Sequence, residues 1–306
     1  MLALFFMIIL DQHIVSQQIV QQRFVDYCIG VFPQLMTKNA VKKAIKKEEL
    51  FINGALATTG VWIKKSDIID LIDNQKRILK PFPLSIDVIF EDDYFVVVNK
   101  PSGLVVSGNL FRTLENAMVD KVQSSIQQDK NQHAKPVHRL DAATSGLVIM
   151  SKTANAHRGL AKLFENRCID KVYHAIVSGE FGENTGVINQ EIQGQNAVTG
   201  FEVKTVINSL RSEKLSLIKL SPKTGRTHQL RIHCSDNGNP IVGDLLYSEE
   251  ENTLLHKGLF LSATRLAFKH PITNELLEIE IDIPHKFKSL LEREERRWNK
   301  FKLHQE

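Results

Sequence analysis

Near its middle the chain reads His138-Arg139-Leu140-Asp141-Ala142-Ala143-Thr144-Ser145-Gly146-Leu147 and runs on into Val148-Ile149-Met150. The closing apolar run has the length and composition of a buried strand. Thr144, Ser145 and Gly146 ahead of it read as a tight loop feeding that strand. Asp141 stands on the loop beside Arg139, and a neighbouring cation favours the ionised carboxylate. Such a group is either a nucleophile or base, or one half of a structural loop salt bridge. Both produce the same local pattern, because structural ion pairs perturb carboxylates as well.

Working outward, three more segments have the same density of chemistry-bearing residues. The first is Glu91-Asp92-Asp93-Tyr94-Phe95-Val96-Val97-Val98-Asn99-Lys100-Pro101-Ser102-Gly103-Leu104. The second is Lys171-Val172-Tyr173-His174-Ala175. The third is Lys223-Thr224-Gly225-Arg226-Thr227-His228-Gln229-Leu230-Arg231-Ile232-His233. In this order, the four segments resemble the active-site signatures of the RluA-type pseudouridine synthases, which isomerise uridine in structured RNA. The resemblance covers about residues 86–285.

Composition bounds the alternatives. A chain of 306 residues suits one or two domains by a prior of roughly 100–200 residues each. Cys28, Cys168 and Cys234 are far apart and lack CxxC spacing, so neither a disulfide framework nor a zinc site is expected, as suits a reducing cytoplasm. The formal net charge is +4, and all of the excess lies at the N-terminus. Residues 1–80 hold 11 Lys/Arg against 7 Asp/Glu, whereas the remaining 226 residues hold 28 of each. A local basic excess suits a polyanion such as RNA; a solvated helix face has the same composition. Met1 to Leu10 is almost wholly apolar. It is too short for a membrane-spanning helix and lacks the basic region and cleavage site of a signal peptide. It reads as a buried strand or an over-long start.

Residues 1–80 read as a small α/β domain. Phe24, Val25, Cys28 and Ile29 lie at helical spacing, and Val31-Phe32-Pro33 ends that element. Thr37 caps a second helix with Val41, Ala44 and Ile45 on one face and Lys38, Lys42, Lys43, Lys46 and Lys47 around them. Leu50-Phe51-Ile52 enters an Asn53-Gly54 hairpin turn, and a short strand ends near Leu71. This order resembles the alpha-L RNA-binding domain of the ribosomal-protein S-four type, in a degenerate copy. Where that family tends to have KPGD, this chain has Lys64-Lys65-Ser66-Asp67.

Lys80-Pro81-Phe82-Pro83 opens a linker over residues 81–85, because two prolines break helix and sheet alike. Residues 86–306 form the second domain. Strands are expected at 86–90, 95–98, 172–177, 201–207, 215–220, 259–266 and 277–281. Helices are expected after Thr113, after Thr153 and from Pro284 to Trp298, with a surface loop at 127–132. The strands do not alternate with helices in βαβ fashion, which favours an α+β fold with a mostly antiparallel sheet. The resemblance implies the same: a curved mixed sheet around a central RNA-binding cleft.

The resemblance also assigns the chemistry. Making pseudouridine breaks the C1′–N1 bond, turns the uracil and rejoins it through C5, with no redox step, phosphate transfer or metal. No cofactor is expected, and the chain has no P-loop, no GxGxxG and no metal-ligand cluster. Asp141 is the implied catalytic aspartate, attacking C1′ or removing a sugar proton. Arg231 is the first candidate for its bidentate cation, with Arg226 as runner-up. Tyr173 would stack on the base and reach a proton in transit. Arg139 would fill the space of the extruded nucleotide, since a stacked base is out of reach.

His138 reads as a hydrogen-bonded loop residue at the RNA, His228 as a further RNA contact, and Leu261 as a wall of the uracil pocket. Lys42, Lys43, Lys46 and Lys47 would meet phosphates. Two departures stand out: Leu261-Ser262-Ala263 lacks the histidine of the family's LHA, and Val105-Val106-Ser107-Gly108 replaces a VHP segment. The sequence therefore reads as a cytoplasmic, monomeric, membrane-free RNA pseudouridine synthase acting on ribosomal or transfer RNA. An inactive RNA-binding relative and a glycoside-bond enzyme on small molecules are the readings set against it.

Overall fold

The computed structural model describes residues 9–16, 22–72, 79–248 and 257–304. The chain divides into two compact units, Met1–Ile78 and Leu79–Glu306.

In the first unit, strands β1 (Ile9–Ile14), β2 (Leu50–Ile52), β3 (Ala55–Leu56) and β4 (Ile68–Ile72) form a sheet in the order β1-β4-β2-β3. Helices α1 (Phe24–Tyr27) and α2 (Lys38–Lys46) pack on it. The Thr37 hydroxyl accepts the Ala40 amide at 3.1 Å, capping α2 as its sequence demands. Val41 and Ala44 are buried, while Lys42, Lys43, Lys46 and Lys47 are exposed. Asn53 and Gly54 both take positive φ, the geometry of a two-residue hairpin turn. Buried Asp67 holds that turn: its carboxylate accepts the Asn53 amide at 2.8 Å and the Lys64 backbone amide at 2.7 Å.

Of the apolar N-terminal stretch only Ile9 and Leu10 are described, and these two are exposed, against the expectation of a buried strand. Met1 to Ile8 lie outside the described residues. From Ile9 onward the chain is an edge strand paired to β4, with Ile9, Leu10 and Ile14 exposed. Pairing satisfies its backbone, but no layer among the described residues covers these side chains.

The second unit is built on one ten-stranded sheet. Its strands are β5 (Asp87–Glu91), β6 (Phe95–Lys100), β7 (Lys130–Pro136), β8 (Ser145–Thr153), β9 (Asp170–Ser178), β10 (Thr185–Asn189), β11 (Val198–Ser209), β12 (Glu213–Pro222), β13 (Leu261–Lys269) and β14 (Leu276–Glu280). The path runs β10-β11-β12-β9-β13-β8-β6-β5, with β14 on β13 and β7 on β8. Helices α3 (Leu114–Ala117), α4 (Ala154–Glu165), α5 (Gln229–Asp236) and α6 (His285–Lys302) flank it. This is the expected α+β fold. The β8–β13 pair is parallel, and the other pairings of this sheet are antiparallel.

The two unbroken apolar runs of the sequence are strands buried on both faces. Val96 lies opposite Met150, Val97 opposite Ile149 and Val98 opposite Val148. Because side chains alternate, Val96, Val98, Val148 and Met150 enter one core. Phe95, Val97, Leu147 and Ile149 enter another. A third core lies where β9, β12 and β13 meet α5 and α6. Two local expectations shift. The polar stretch after Gln127 enters strand β7 at Lys130, where pairing with β8 outweighs its weak strand propensity. The helix after Thr113 ends at Ala117 instead of reaching Val122, and Asp120 takes a left-handed φ of 61° just beyond it.

The parallel contact between β8 and β13 is two residues long, Ser145 with Ser262 and Gly146 with Ala263. At Gly146, φ is +113°, and an added Cβ would lie 2.1 Å from the Ala263 carbonyl oxygen. The nearest atoms are all backbone of Ala263, so no side chain can swing aside to make room. Gly146→Ala is expected to cost on the order of 3–5 kcal/mol or to prevent folding. Gly182→Ala, where a Cβ meets open space, should stay within about 0.5 kcal/mol. Urea unfolding of the two variants beside the parent checks the difference.

Candidate active site

Asp141 lies on the loop between β7 and β8, and its backbone carbonyl accepts the Thr144 amide at 3.1 Å. The loop is anchored from below by the segment after β6. Fully buried Lys100 donates to the carbonyls of Pro101 at 2.9 Å, Leu104 at 2.8 Å and Ala142 at 3.1 Å. The Gly103 amide also reaches Ala142 O at 2.7 Å, and the Ser102 hydroxyl reaches Ala143 O at 2.6 Å. The Asn99-Lys100-Pro101-Ser102-Gly103 motif thus acts as a floor under Asp141.

A cleft of 440 Å³ opens above this floor. Asp141, Tyr173, Arg231, His138, Arg139, Arg226, His228 and Leu261 all line it, so every site residue read from the sequence of this unit converges on one cavity. Tyr173 enters from β9, between Ala263 of β13 and Leu220 of β12. Burial, with the charge of Asp141, pushes its phenol well above the ordinary tyrosine value, so the hydroxyl remains a proton donor. Leu261 comes from β13. Ser262, where the family has histidine, is fully buried and does not line the cleft. Its hydroxyl has no hydrogen-bond partner among the described residues.

His138 is a structural acceptor: its Nε2 takes the Ile149 amide at 3.0 Å, and its ring stacks on Phe164 at 4.4 Å. Burial pulls its pKa down to about 3, so the ring is neutral. Arg139 is exposed at the rim and forms no ion pair among the described residues. Its neighbouring carboxylate is therefore not its salt-bridge partner. The Arg226 guanidinium donates to the Asn196 carbonyl at 3.1 Å rather than to Asp141.

Arg231 faces Asp141 from α5, but not bidentately. Its Nη1 stands 3.8 Å from Asp141 Oδ2. The bidentate partner is Asp244, which the sequence reading missed: Nε donates to Oδ2 at 2.7 Å and Nη2 to Oδ1 at 2.6 Å. Burial works against the Arg231 charge, but the bonds and charge of Asp244 outweigh it and push the pKa up. Asp244 also accepts the backbone amides of Leu246 at 3.0 Å and Tyr247 at 3.3 Å. A second cation-capable group, His228 Nε2, lies 3.7 Å from the same Asp141 oxygen.

Gln229 fixes the loop that carries Arg226 and His228. Its Oε1 accepts the Thr224 hydroxyl at 2.7 Å and the Arg226 amide at 3.0 Å. Its Nε2 donates to Val198 O at 3.1 Å and to Thr199 Oγ1 at 3.0 Å. Of the residues missed, Gln229 and Lys100 stood inside quoted motifs. Their type gave no signal by itself, since only burial, seen in the structure, requires a lysine or glutamine to have partners. Among the described residues, no cluster of three His, Cys, Asp or Glu side chains is arranged to hold a metal ion.

Comparison with known proteins agrees with this arrangement. The family described as RNA pseudouridylate synthase matches residues 94–236. The chain is 31% identical over 273 residues to the RNA pseudouridine synthase YhcT of Bacillus subtilis, covering 83% of this chain and 88% of that one. It is 38% identical over 208 residues to the dual-specificity RNA pseudouridine synthase RluA of Pasteurella multocida, covering 63% of this chain and 90% of the relative. Among solved structures, human RNA pseudouridylate synthase domain containing 1 superposes with a TM-score of 0.54 at 25% identity, over 65% of this chain and 83% of that one. Fold and sequence together define an RNA-modifying isomerase. The chain belongs to the RluA-type RNA pseudouridine synthases.

The floor lysine carries a pH signature. Burial lowers the Lys100 pKa to about 8, with the charge of Asp141 opposing. The unfolded chain keeps the proton up to the ordinary value of 10.5. Between these values the unfolded state binds more protons, so the Lys100 contribution to stability rises with pH. The stability difference between parent and Lys100→Met should therefore grow in favour of the parent by about 1–2 kcal/mol between pH 8 and pH 9.5. Denaturant titrations at the two pH values measure it, and a constant difference would contradict the assignment.

Proposed function

We propose that Asp141 is the catalytic carboxylate of this synthase, acting on uridines in structured RNA, foremost ribosomal RNA. The observation that carries the reading is the convergence of Asp141, Tyr173 and Arg231 on one cleft with an apolar wall at Leu261. Asp141 either attacks C1′ or removes a sugar proton to give a glycal; both routes need an ionised oxygen near the anomeric carbon. The C1′–N1 bond breaks, the uracil turns, and the C1′–C5 bond forms. The C5 proton then leaves and N1 gains one. Tyr173, protonated and above the base, is suited to relay it. Arg139 at the rim would occupy the place of the extruded nucleotide. Arg226 and His228 would hold the RNA strand, with His138 fixing the loop beneath it.

Residues 1–80 are proposed to be an alpha-L RNA-binding domain of the S-four type, joined through 81–85 to a catalytic domain spanning 86–306. The exposed lysines of α2 would neutralise phosphates. A second RNA-binding unit suits a large folded RNA, which favours ribosomal RNA. Transfer RNA is the alternative, and the dual-specificity name of the Pasteurella relative keeps it in view. The protein is proposed to work as a cytoplasmic monomer without metal or cofactor. Among the described residues no helix is long and apolar enough to cross a membrane.

Asp141→Asn keeps the size and loses the charge. Single-turnover pseudouridine formation should vanish while RNA affinity by gel shift is largely kept; the melting temperature, taken alongside, reports any loss of fold. Product within tenfold of the parent rate in a folded, RNA-bound variant would remove Asp141 from the mechanism. Replacing Lys42, Lys43, Lys46 and Lys47 with Gln should flatten the salt dependence of RNA binding, by about one unit of slope for each phosphate no longer neutralised. An unchanged slope would make α2 a solvated face. Pseudouridine mapping of total RNA with and without the gene decides between ribosomal and transfer RNA.

A further inference from the structure

The segment Asp244-Leu245-Leu246-Tyr247 turns two polar side chains inward and leaves Leu245 and Leu246 exposed. Asp244 clamps Arg231, as described above. Tyr247 touches both groups that face Asp141. Its ring lies under the Arg231 guanidinium, 5.1 Å from the ring centroid, within cation–π range. Its hydroxyl is 2.9 Å from His228 Nδ1. The Tyr247 carbonyl accepts the Ser235 hydroxyl of α5 at 2.7 Å, so the residue is tied to the helix that carries Arg231.

The direction of the His228–Tyr247 bond follows from the far side of the ring. Nε2 stands 3.7 Å from Asp141 Oδ2. A lone pair on Nε2 aimed at a carboxylate is repulsive, whereas an N–H there is attractive. In its neutral form the ring is therefore better placed with its proton on Nε2, leaving Nδ1 to accept from the Tyr247 hydroxyl. His228 takes a left-handed backbone, φ 57° and ψ 19°, with no side-chain cap on α5. Strain of this kind persists where surrounding contacts fix a side chain's direction. His228 and Arg231 Nη1 both address Oδ2, while Asp141 Oδ1 makes no hydrogen bond among the described residues. The 3.7 and 3.8 Å separations lie beyond hydrogen-bond range and within ion-pair range, and catalytic contacts of this length commonly tighten in a substrate complex.

We propose that Tyr247 is a positioning residue that fixes the His228 tautomer and the Arg231 plane, so that two donors hold Oδ2 of Asp141 and leave Oδ1 as the reacting oxygen. The proposal rests on the reading of Asp141 as the reactive carboxylate and names the device that makes its two oxygens unequal. Tyr247→Phe keeps the ring under Arg231 and removes only the hydroxyl.

The test is a double-mutant cycle of Tyr247→Phe and His228→Gln, read as single-turnover pseudouridine formation at saturating RNA, with gel-shift affinity beside it. Nitrogen-15 NMR of the His228 ring in the parent and in Tyr247→Phe is read without RNA. Tyr247→Phe is expected to lower the rate about tenfold with RNA affinity within twofold. The double variant should be no slower than His228→Gln alone, because the hydroxyl acts through His228. The parent ring should carry its proton on Nε2, and Tyr247→Phe should show a tautomer mixture. Multiplicative losses, a parent-like rate in Tyr247→Phe, or a parent ring protonated on Nδ1 would each overturn the proposal. The NMR readout survives a variant that folds poorly, since the parent alone decides it. Failure of the underlying reading looks different: Asp141→Asn would then still turn over, whatever the tautomer.

Discussion

The close approach of Gly146 to Ala263 is the constraint on which the second unit turns. It joins β10-β11-β12-β9-β13 on one side to β8-β6-β5 on the other through a parallel contact of two residues. A parallel pair brings the beginnings of both strands to the same end of the sheet. The loop before β8 carries Asp141, and the start of β13 carries Leu261. The contact that closes the sheet therefore also brings the carboxylate to the apolar wall. The small residue after Ser145 is a packing requirement first, and the position of Asp141 follows from it.

The electrostatics depend on a division of labour between two carboxylates. A buried guanidinium needs a partner, and desolvating it against a loose, quarter-exposed Asp141 would leave much of its hydration unreplaced. Asp244 replaces it, fully buried and bidentate. Removing one side of such a pair costs about 3–5 kcal/mol, so Arg231 is held whether or not Asp141 is ionised or occupied. Asp141 in turn keeps lone pairs that a bidentate clamp would have taken. Had the guanidinium closed on Asp141, the carboxylate would be better stabilised and, on the proposed reading, less available for chemistry.

What the sequence disclosed was local. Thr37 and Thr113 cap the helices they precede, Asn53-Gly54 turns a hairpin, and the runs at 95–98 and 147–150 are strands, because neighbouring residues decide each of these. Eight of the residues that line the cleft were legible from motifs and segments that share this cavity. What escaped was non-local. Asp244 and Tyr247 reach Arg231 and His228 across a loop, through contacts without a periodic signature. Lys100 reads as a surface lysine until its three carbonyl partners are assembled. The strand at Lys130 escaped because pairing, not composition, makes it a strand.

The charge inventory of the cleft fits a neutral base attached to an anionic backbone. His138 is held neutral by burial and Tyr173 stays protonated, so these two side chains and Leu261 present uncharged surface to the cleft. On the proposed reading, uracil entering there stacks and lies against apolar surface, and hydrogen-bond partners must replace the hydration that its polar edge loses. The charged side chains lining the cleft are Asp141, Arg231, Lys171, Arg139 and Arg226, with Asp244 paired to Arg231. On the proposed reading these face the sugar and the phosphates, where charge is present or develops. A detached uracil can then turn against a neutral wall, because no ionic contact fixes the orientation that must change, while the sugar stays held at the charged end. Separating a neutral region for the moving part from a charged region for the fixed part is what an isomerisation that retains both fragments requires.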